Sequence, residues 1–166
     1  MNTDLVALFR HLTLGVYVIG VAAGDKRDAF TASALMQASY RPLLLTLAIH
    51  PAHASYPLLR ESRSFAVSVL DRQQLPLARH FGTVSGGQSD KMQGFSWRSG
   101  REGAPILEVA LAYFDCSVEN ELSAGDHRLI VGRVIGGAVL SRDRLPLSYA
   151  DTDNLDQSAA LFPQTF

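Results

Sequence analysis

A mainly β fold, an antiparallel barrel with a few short peripheral helices packed outside it, is predicted by three features of the sequence. β-branched and aromatic segments of strand length recur along most of the 166 residues. Turn signals separate them closely enough to form hairpins, and the helical patterns between them are few and short. A length of 166 residues corresponds to a single domain, residues 1–166. With 47% hydrophobic and only 19% charged residues, that domain has enough apolar surface to bury a core unaided.

The elements follow in order. Asn2, Thr3 and Asp4 are capping residues, and Leu5, Leu8, Phe9 and Leu12 recur at spacings of three, four and seven, which predicts a short amphipathic helix ended by Gly15. Residues 16–22 are β-branched and aromatic and run into Gly24-Asp25-Lys26-Arg27-Asp28, so residues 29–34 form the returning strand of a hairpin. After Pro42, the nearly continuous apolar run 43–49 predicts a strand buried on both faces. Residues 55–61 are a helical turn with Ser55 as its N-cap, 65–70 a strand, and 71–80 a helix with Pro76 near its start or breaking it. Residues 82–104 hold six of the 13 glycines and few aliphatics, the composition of a long functional loop or ligand lid. Residues 111–122 alternate, with Ala112, Phe114, Cys116 and Val118 on one face and Tyr113, Asp115, Ser117 and Glu119 on the other, which makes Cys116 a core residue. Ser123-Ala124-Gly125-Asp126 then turns the chain into a second long strand, 128–140.

Composition excludes several classes of function. A net charge of −1 leaves no electrostatic footprint for nucleic acid or anionic lipid. One cysteine cannot form an internal disulfide or a cysteine-based zinc site. The opening residues place Asp4 and Arg10 where a secretory leader needs an apolar run, and no later run has the length of a membrane span. A cytoplasmic protein without nucleic-acid or membrane partners is expected.

Four constellations could carry chemistry. Thr31-Ala32-Ser33-Ala34 puts small hydroxyls at the end of a hairpin strand, where a planar ligand can approach the backbone. His50-Pro51-Ala52-His53-Ala54-Ser55 follows the apolar strand at a helix entrance, which suits an anion. The two imidazoles also suit a metal-dependent hydrolase if His80, His127 or a distant acid completed the ligand set, a spacing too indistinct to make a metal the expectation. Arg79-His80-Phe81, with Ser85 and Lys91 of the glycine-rich loop, offers cations and hydroxyls to a phosphate. Gly125-Asp126-His127 places a His beside an Asp that can set its tautomer. The nucleophile elbow, the Rossmann fingerprint and the Walker loop are all missing from the sequence.

Taken together, Phe9-Arg10 through Gly15-Val16-Tyr17-Val18-Ile19, Thr31-Ala32-Ser33-Ala34, Ser39-Tyr40-Arg41-Pro42-Leu43-Leu44, residues 61–70, Leu77-Ala78-Arg79-His80-Phe81, residues 103–108 and Gly125-Asp126-His127 with the apolar strand after it resemble, over residues 5–149, the flavin reductase-like family of FMN-binding split barrels. This family includes the reductase components of two-component flavin monooxygenases. The resemblance implies a split antiparallel β-barrel that forms a homodimer and holds FMN or FAD near the subunit interface, with NADH or NADPH as co-substrate and a flavin-dependent monooxygenase as a downstream partner. It implies that Thr31, Ala32, Ser33 and Ala34 line the flavin and that Ala48, Ile49, His50 and Ser55 border its other side. Arg79, His80 and Phe81 would lie at the flavin tail, with Ser85 and Lys91 as phosphate partners, and His127 would face the nicotinamide as the catalytic residue. A flavin-binding or electron-transfer protein of the same fold is the alternative. Departures from the family pattern imply that Phe30 narrows the pocket and that Ala34 removes one polar contact.

Overall fold

A computed structural model describes residues 4–83, 90–163 and 165 of the chain. Its main feature is a seven-stranded antiparallel sheet built from β1 (Tyr17–Ala23), β2 (Lys26–Ala32), β3 (Leu35–Tyr40), β4 (Leu43–Ile49), β5 (Ser64–Val69), β8 (Ala112–Ala124) and β9 (His127–Val139). The strand order is β2-β1-β5-β8-β9-β4-β3. A separate ribbon pairs β6 (Trp97–Ser99) with β7 (Pro105–Leu107). The helices are α1 (Leu5–Phe9), α2 (Tyr56–Ser62) and α3 (Leu75–Thr83). Among the described residues, no helix is long and apolar enough to cross a membrane.

The strand order explains why the sheet must curl. β2 and β3 lie at opposite edges, yet only Ser33 and Ala34 connect them. Laid flat, seven strands would separate the two edges by about 29 Å, whereas the chain from Ala32 to Leu35 reaches at most about 11 Å. The sheet therefore closes on itself as a barrel whose β2 and β3 edges approach without joining. Residue 34 continues the β3–β4 pairing at this seam, its carbonyl accepting from the Ala48 N–H at 2.9 Å. The predicted barrel is thus split, and the split falls on the small-hydroxyl motif.

The barrel interior is filled by Ile19, Val21, Phe30, Leu45, Leu47, Ile49, Phe65, Val67, Cys116, Val118 and Ile130, with Tyr56 and Leu59 of α2 packed among them. Each large side chain removed from water in this way stabilises the fold by about 1.5–3 kcal/mol. A second core lies outside the wall, where Ala78 and Phe81 of α3, Met92, Leu107 and Leu147 cover Val16, Val18 and Ala29. Two glycines make these layers possible. A Cβ at Gly20 would stand 2.0 Å from the Pro105 carbonyl oxygen of β7, and one at Gly132 would stand 2.5 Å from the Phe65 ring.

Several expectations need correction. β4 is buried on one face only: Leu45, Leu47 and Ile49 enter the core, while Leu44, Thr46 and Ala48 on the other face are half-buried. Beside it in the sheet lies the exposed edge strand β3, an element the polar residues Gln37 and Ser39 conceal in the sequence. The third helix starts at Leu75, not at residue 71, because Asp71 bridges Pro146 and accepts from the Gln73 N–H at 2.7 Å, while Pro76 occupies the first turn, where its missing N–H costs nothing. The expected long loop is shortened from both ends, by α3 reaching Thr83 and by the β6–β7 ribbon. Asp115 is buried, not exposed, because Gly100 and Arg101 fold over it and the Arg101 N–H donates to its carboxylate. Cys116 lies in the core as expected, and burial pushes its thiol up to about 12.

Candidate functional site

The seam carries a cleft. Val16, Thr31, Ala32, Ser33 and Gly82 form one wall and the C-terminal segment from Tyr149 to Asp156 the other, enclosing about 50 Å³. Through Ser33, Tyr149 and Asp156 it continues into a second space of about 200 Å³ beside α1. Thr31 Oγ1 donates to the Ala78 carbonyl at 2.6 Å, which fastens α3 to β2 and brings Gly82 to the cleft. The opposite wall is held by the Tyr149 hydroxyl, which lies 2.8 Å from Ser158 Oγ and donates to Asp156 Oδ2 at 3.1 Å, and by the Phe9 and Phe162 rings at 5.2 Å. Burial raises the Tyr149 phenol above its ordinary range, so it stays protonated and able to donate.

A second group stands at the rim. The β4–β9 register pairs Ile49 with Arg128, so the next residues outward are His50 and His127. Their rings meet edge to face at 5.4 Å. His127 Nδ1 lies 2.7 Å from Asp126 Oδ1, and this hydrogen bond holds the Asp126 carboxyl below its usual range. Gly125, at φ 63°, makes the tight turn that places Asp126 beside His127.

A third group is interior. Asp28 Oδ2 accepts from Ser55 Oγ at 2.6 Å, Asp28 Oδ1 accepts from the Ala29 N–H at 2.8 Å, and Lys91 Nζ lies 3.4 Å from Asp28 Oδ1 while donating to the Ala29 carbonyl at 3.0 Å. His53 packs on Phe30 with ring centroids 4.5 Å apart and accepts the Ser55 N–H at Nδ1. Desolvation first, then the nearby Lys91 charge, lower its pKa.

The predicted residues are therefore divided. Thr31, Ala32 and Ser33 gather at the cleft, with Ala34 exposed beside them and half-buried Ala48 one hydrogen bond away. His50 joins His127 at the rim. Ile49 and Phe81 are core residues; Ser55 stands at the N-cap of α2 without a side-chain capping hydrogen bond, and both Ser55 and Lys91 are buried against Asp28. His80 is held by the Lys91 carbonyl at 2.9 Å and by Phe95, while Arg79 is exposed. Ser85 lies outside the described residues. Phe30 points into the barrel and leaves the cleft unnarrowed, contrary to expectation, because β2 directs Phe30 and Thr31 to opposite faces. No group of three or more His, Cys, Asp or Glu capable of holding a metal occurs among the described residues. Sequence reasoning missed Gly82, Tyr149, Thr152, Leu155 and Asp156, for which the only local signal was Ser148 capping a helical turn.

Comparison with known proteins agrees with this fold. The family described as flavin reductase like domain matches residues 9–155. The NADH:FAD oxidoreductase SgcE6 of Streptomyces globisporus C-1027 superposes with a TM-score of 0.82 at 28% identity, over 89% of this chain and 88% of that one. BorF, the flavin reductase component of a bacterial two-component tryptophan halogenase, gives 0.80 at 29% identity, over 90% of this chain and 94% of its own. High molecular weight rubredoxin of Moorella thermoacetica is 30% identical over 84% of this chain and 61% of its own length. Against the diflavin flavoproteins it matches, the chain spans only 22% to 26% of their length.

Proposed function

The chain belongs to the flavin reductase-like domain family, and on that premise we propose that it is an NAD(P)H-dependent flavin reductase, using FMN or FAD and supplying reduced flavin to a partner monooxygenase. The observation that carries this reading is the coincidence of the family match with an open cleft at the split of the barrel, lined by Thr31, Ala32 and Ser33. The residues there suit a flavin ring: Val6, Leu12 and Leu14 offer apolar contact to a planar body, and Ser33, Tyr149 and Asn154 offer polar groups to its edge. When bound, the flavin would supply the two-electron acceptor, N5 taking the hydride that leaves C4 of the reduced nicotinamide.

The chain's own contribution is placement. Thr31 holds α3 against β2 so that the cleft keeps its width. Ser33 and Ala34, at the uncovered seam, let a ring approach the backbone, and Arg79 is the exposed cation nearest in sequence to Gly82 for the anionic end of the nucleotide. His127, oriented by Asp126, faces the nicotinamide and fixes its attitude toward the acceptor. A homodimer is part of the proposal. Met36 and Leu43, 64% and 52% exposed, line an apolar groove of about 270 Å³ on β3 and β4, a patch that a second copy would cover.

Loss of NAD(P)H absorbance by the purified chain, with and without FMN or FAD, tests the proposal. Flavin-dependent turnover that falls at least about tenfold in His127→Ala is the expected result. Flavin binding without reduction by either nicotinamide would favour the second reading, a flavin-binding electron-transfer module, which the matches to segments of diflavin flavoproteins support.

A further inference from the structure

The far wall of the seam cleft is joined to the barrel differently along its length. As far as Tyr149 the chain is bound through its backbone: the Leu147 N–H donates to the Leu70 carbonyl at 2.9 Å, the Leu147 carbonyl accepts from the Val16 N–H at 3.1 Å, and the Tyr149 N–H donates to the Leu14 carbonyl at 2.8 Å. From Ala150 to Phe162, every backbone hydrogen bond among the described residues is local, running from Asp151 to Ser148, from Gln157 to Asn154 and from Ala160 to Gln157. The side-chain caps are local too, the Ser158 N–H donating to Asp156 Oδ1, the Ala159 N–H to Asn154 Oδ1 and Thr152 Oγ1 to the Tyr149 carbonyl. Three side-chain contacts hold this stretch down. The Tyr149 hydroxyl meets Asp156 Oδ2 at 3.1 Å and Ser158 Oγ at 2.8 Å, Leu155 lies over Gly82, where a Cβ would stand 3.5 Å from Leu155 Cδ2, and Phe162 packs on Phe9. Asp153 at φ 55° and Gln157 at φ 56° bracket Leu155 and Asp156 with a backbone conformation that side chains other than glycine rarely adopt. A stretch without backbone ties to the core, and strained at both joints, opens at lower cost than the sheet beneath it.

In this position the stretch leaves little room. The inner space behind it measures about 50 Å³ and the outer one beside α1 about 200 Å³, against about 300–1,000 Å³ for a pocket that takes a ligand of cofactor size. Ser33, Tyr149 and Asp156 line both, so the Tyr149–Asp156 contact stands where the two spaces join. We propose that residues 150–162 are a strap, hinged after Tyr149 and latched by the Tyr149 hydroxyl on Asp156 and Ser158, which must lift before a flavin ring can enter the seam cleft. The proposal rests on the reading of this cleft as the flavin site and adds the regulation of that site. Only the lifted form binds, so the apparent affinity is the intrinsic affinity reduced by the lifted fraction, and weakening the latch tightens binding. A wall that only contacted the flavin would respond in the opposite sense, because deleting its polar groups would weaken binding.

The test has two arms. In stopped-flow quenching of FMN fluorescence by the full-length chain, Tyr149→Phe and Asp156→Ala should each raise the association rate constant and lower Kd about tenfold, the effect of one hydrogen bond. The double variant should gain little beyond either single one, because both break the same latch. Riboflavin, which has no phosphate, should respond to Asp156→Ala as FMN does, which separates release of the latch from removal of a negative charge. In the ¹⁵N-labelled chain without flavin, amides 157–160 should exchange about tenfold faster in Tyr149→Phe while those of β8 and β9 keep their wild-type rates. The proposal is overturned if the variants bind FMN no faster or more weakly than wild type, if the Asp156→Ala effect vanishes with riboflavin, or if exchange in the strap is unchanged. A wild-type chain that reduces flavin with NAD(P)H beside variants that bind no faster refutes the strap and leaves the reductase reading standing. If no form binds FMN, FAD or riboflavin, the flavin reading fails by itself, and the exchange rates then decide the strap: selective acceleration in Tyr149→Phe upholds it, and unchanged rates refute it.

Discussion

The barrel holds two Asp–His neighbourhoods of similar composition and opposite character. Around Asp28 and His53, the carboxylate, Ser55 and Lys91 are all buried, and hydrogen bonds to one another and to the backbone engage Ser55 Oγ, Lys91 Nζ and both carboxylate oxygens. Around Asp126 and His127, the carboxylate is exposed, the imidazole is half-exposed, and His50 against it is exposed too. Burial turns the first set into framework, because a charge out of water is tolerated only when fully partnered. Exposure leaves the second set free to meet a ligand. The difference teaches that residue type nominates a site and that solvent access decides it.

The largest effect should come from breaking the interior set. Asp28→Ala leaves Lys91 buried without its counter-ion, and we expect a loss of about 3–5 kcal/mol in urea unfolding. The double replacement Asp28→Leu with Lys91→Met should recover most of it. A single variant as stable as wild type would erase the contrast between the two neighbourhoods. At the rim the corresponding change, Asp126→Ala, should leave the thermal midpoint unaltered while lowering kcat/KM for NAD(P)H about tenfold, since His127 loses the partner that sets its tautomer.

A smaller effect separates the two sets by pH. Because burial lowers the pKa of His53 in the folded state, the unfolded chain takes up that proton first as pH falls through about 6.5. More protons are then bound by the unfolded chain, so the His53 contribution to stability is complete above that value and declines below it. In His53→Gln the pH dependence of the unfolding free energy should flatten between about pH 8 and pH 5, about 1.5 units to either side of an ordinary histidine pKa; an unchanged slope would place His53 in solvent. The smallest change concerns Cys116, whose thiol is buried and held near 12. An alkylating reagent at neutral pH should leave the native chain unlabelled and modify it fully in denaturant.

Much of the fold was legible in the sequence because strand alternation and turn chemistry are local. The β8–β9 hairpin is encoded by Gly125-Asp126 between two long β-prone segments, and Cys116 by the alternation around it. β3 was not legible, because an edge strand with one solvent face carries Gln37 and Ser39 as a loop would. At the site, Thr31-Ala32-Ser33 and His127 could be nominated from residue type and from family resemblance. The wall formed by Tyr149, Thr152 and Leu155 could not, since its approach to Gly82 depends on a return from Pro146 and Leu147 across Asp71 and Leu70. The burial of Ser55 and Lys91 was not legible for the same reason: their partner, Asp28, is 27 and 63 residues away.

Period-two hydrophobicity and two-residue turns determined by themselves that this chain forms an antiparallel β-barrel, and residue type nominated its small hydroxyls and a turn histidine as candidates to meet a ligand. Tertiary structure decided where the barrel splits, which polar residues become framework, and that His50 stands against His127. These outcomes rest on strand order and register, which join residues far apart along the chain, and a hydrophobic pattern of period two specifies which way a side chain points without specifying which strand lies beside it.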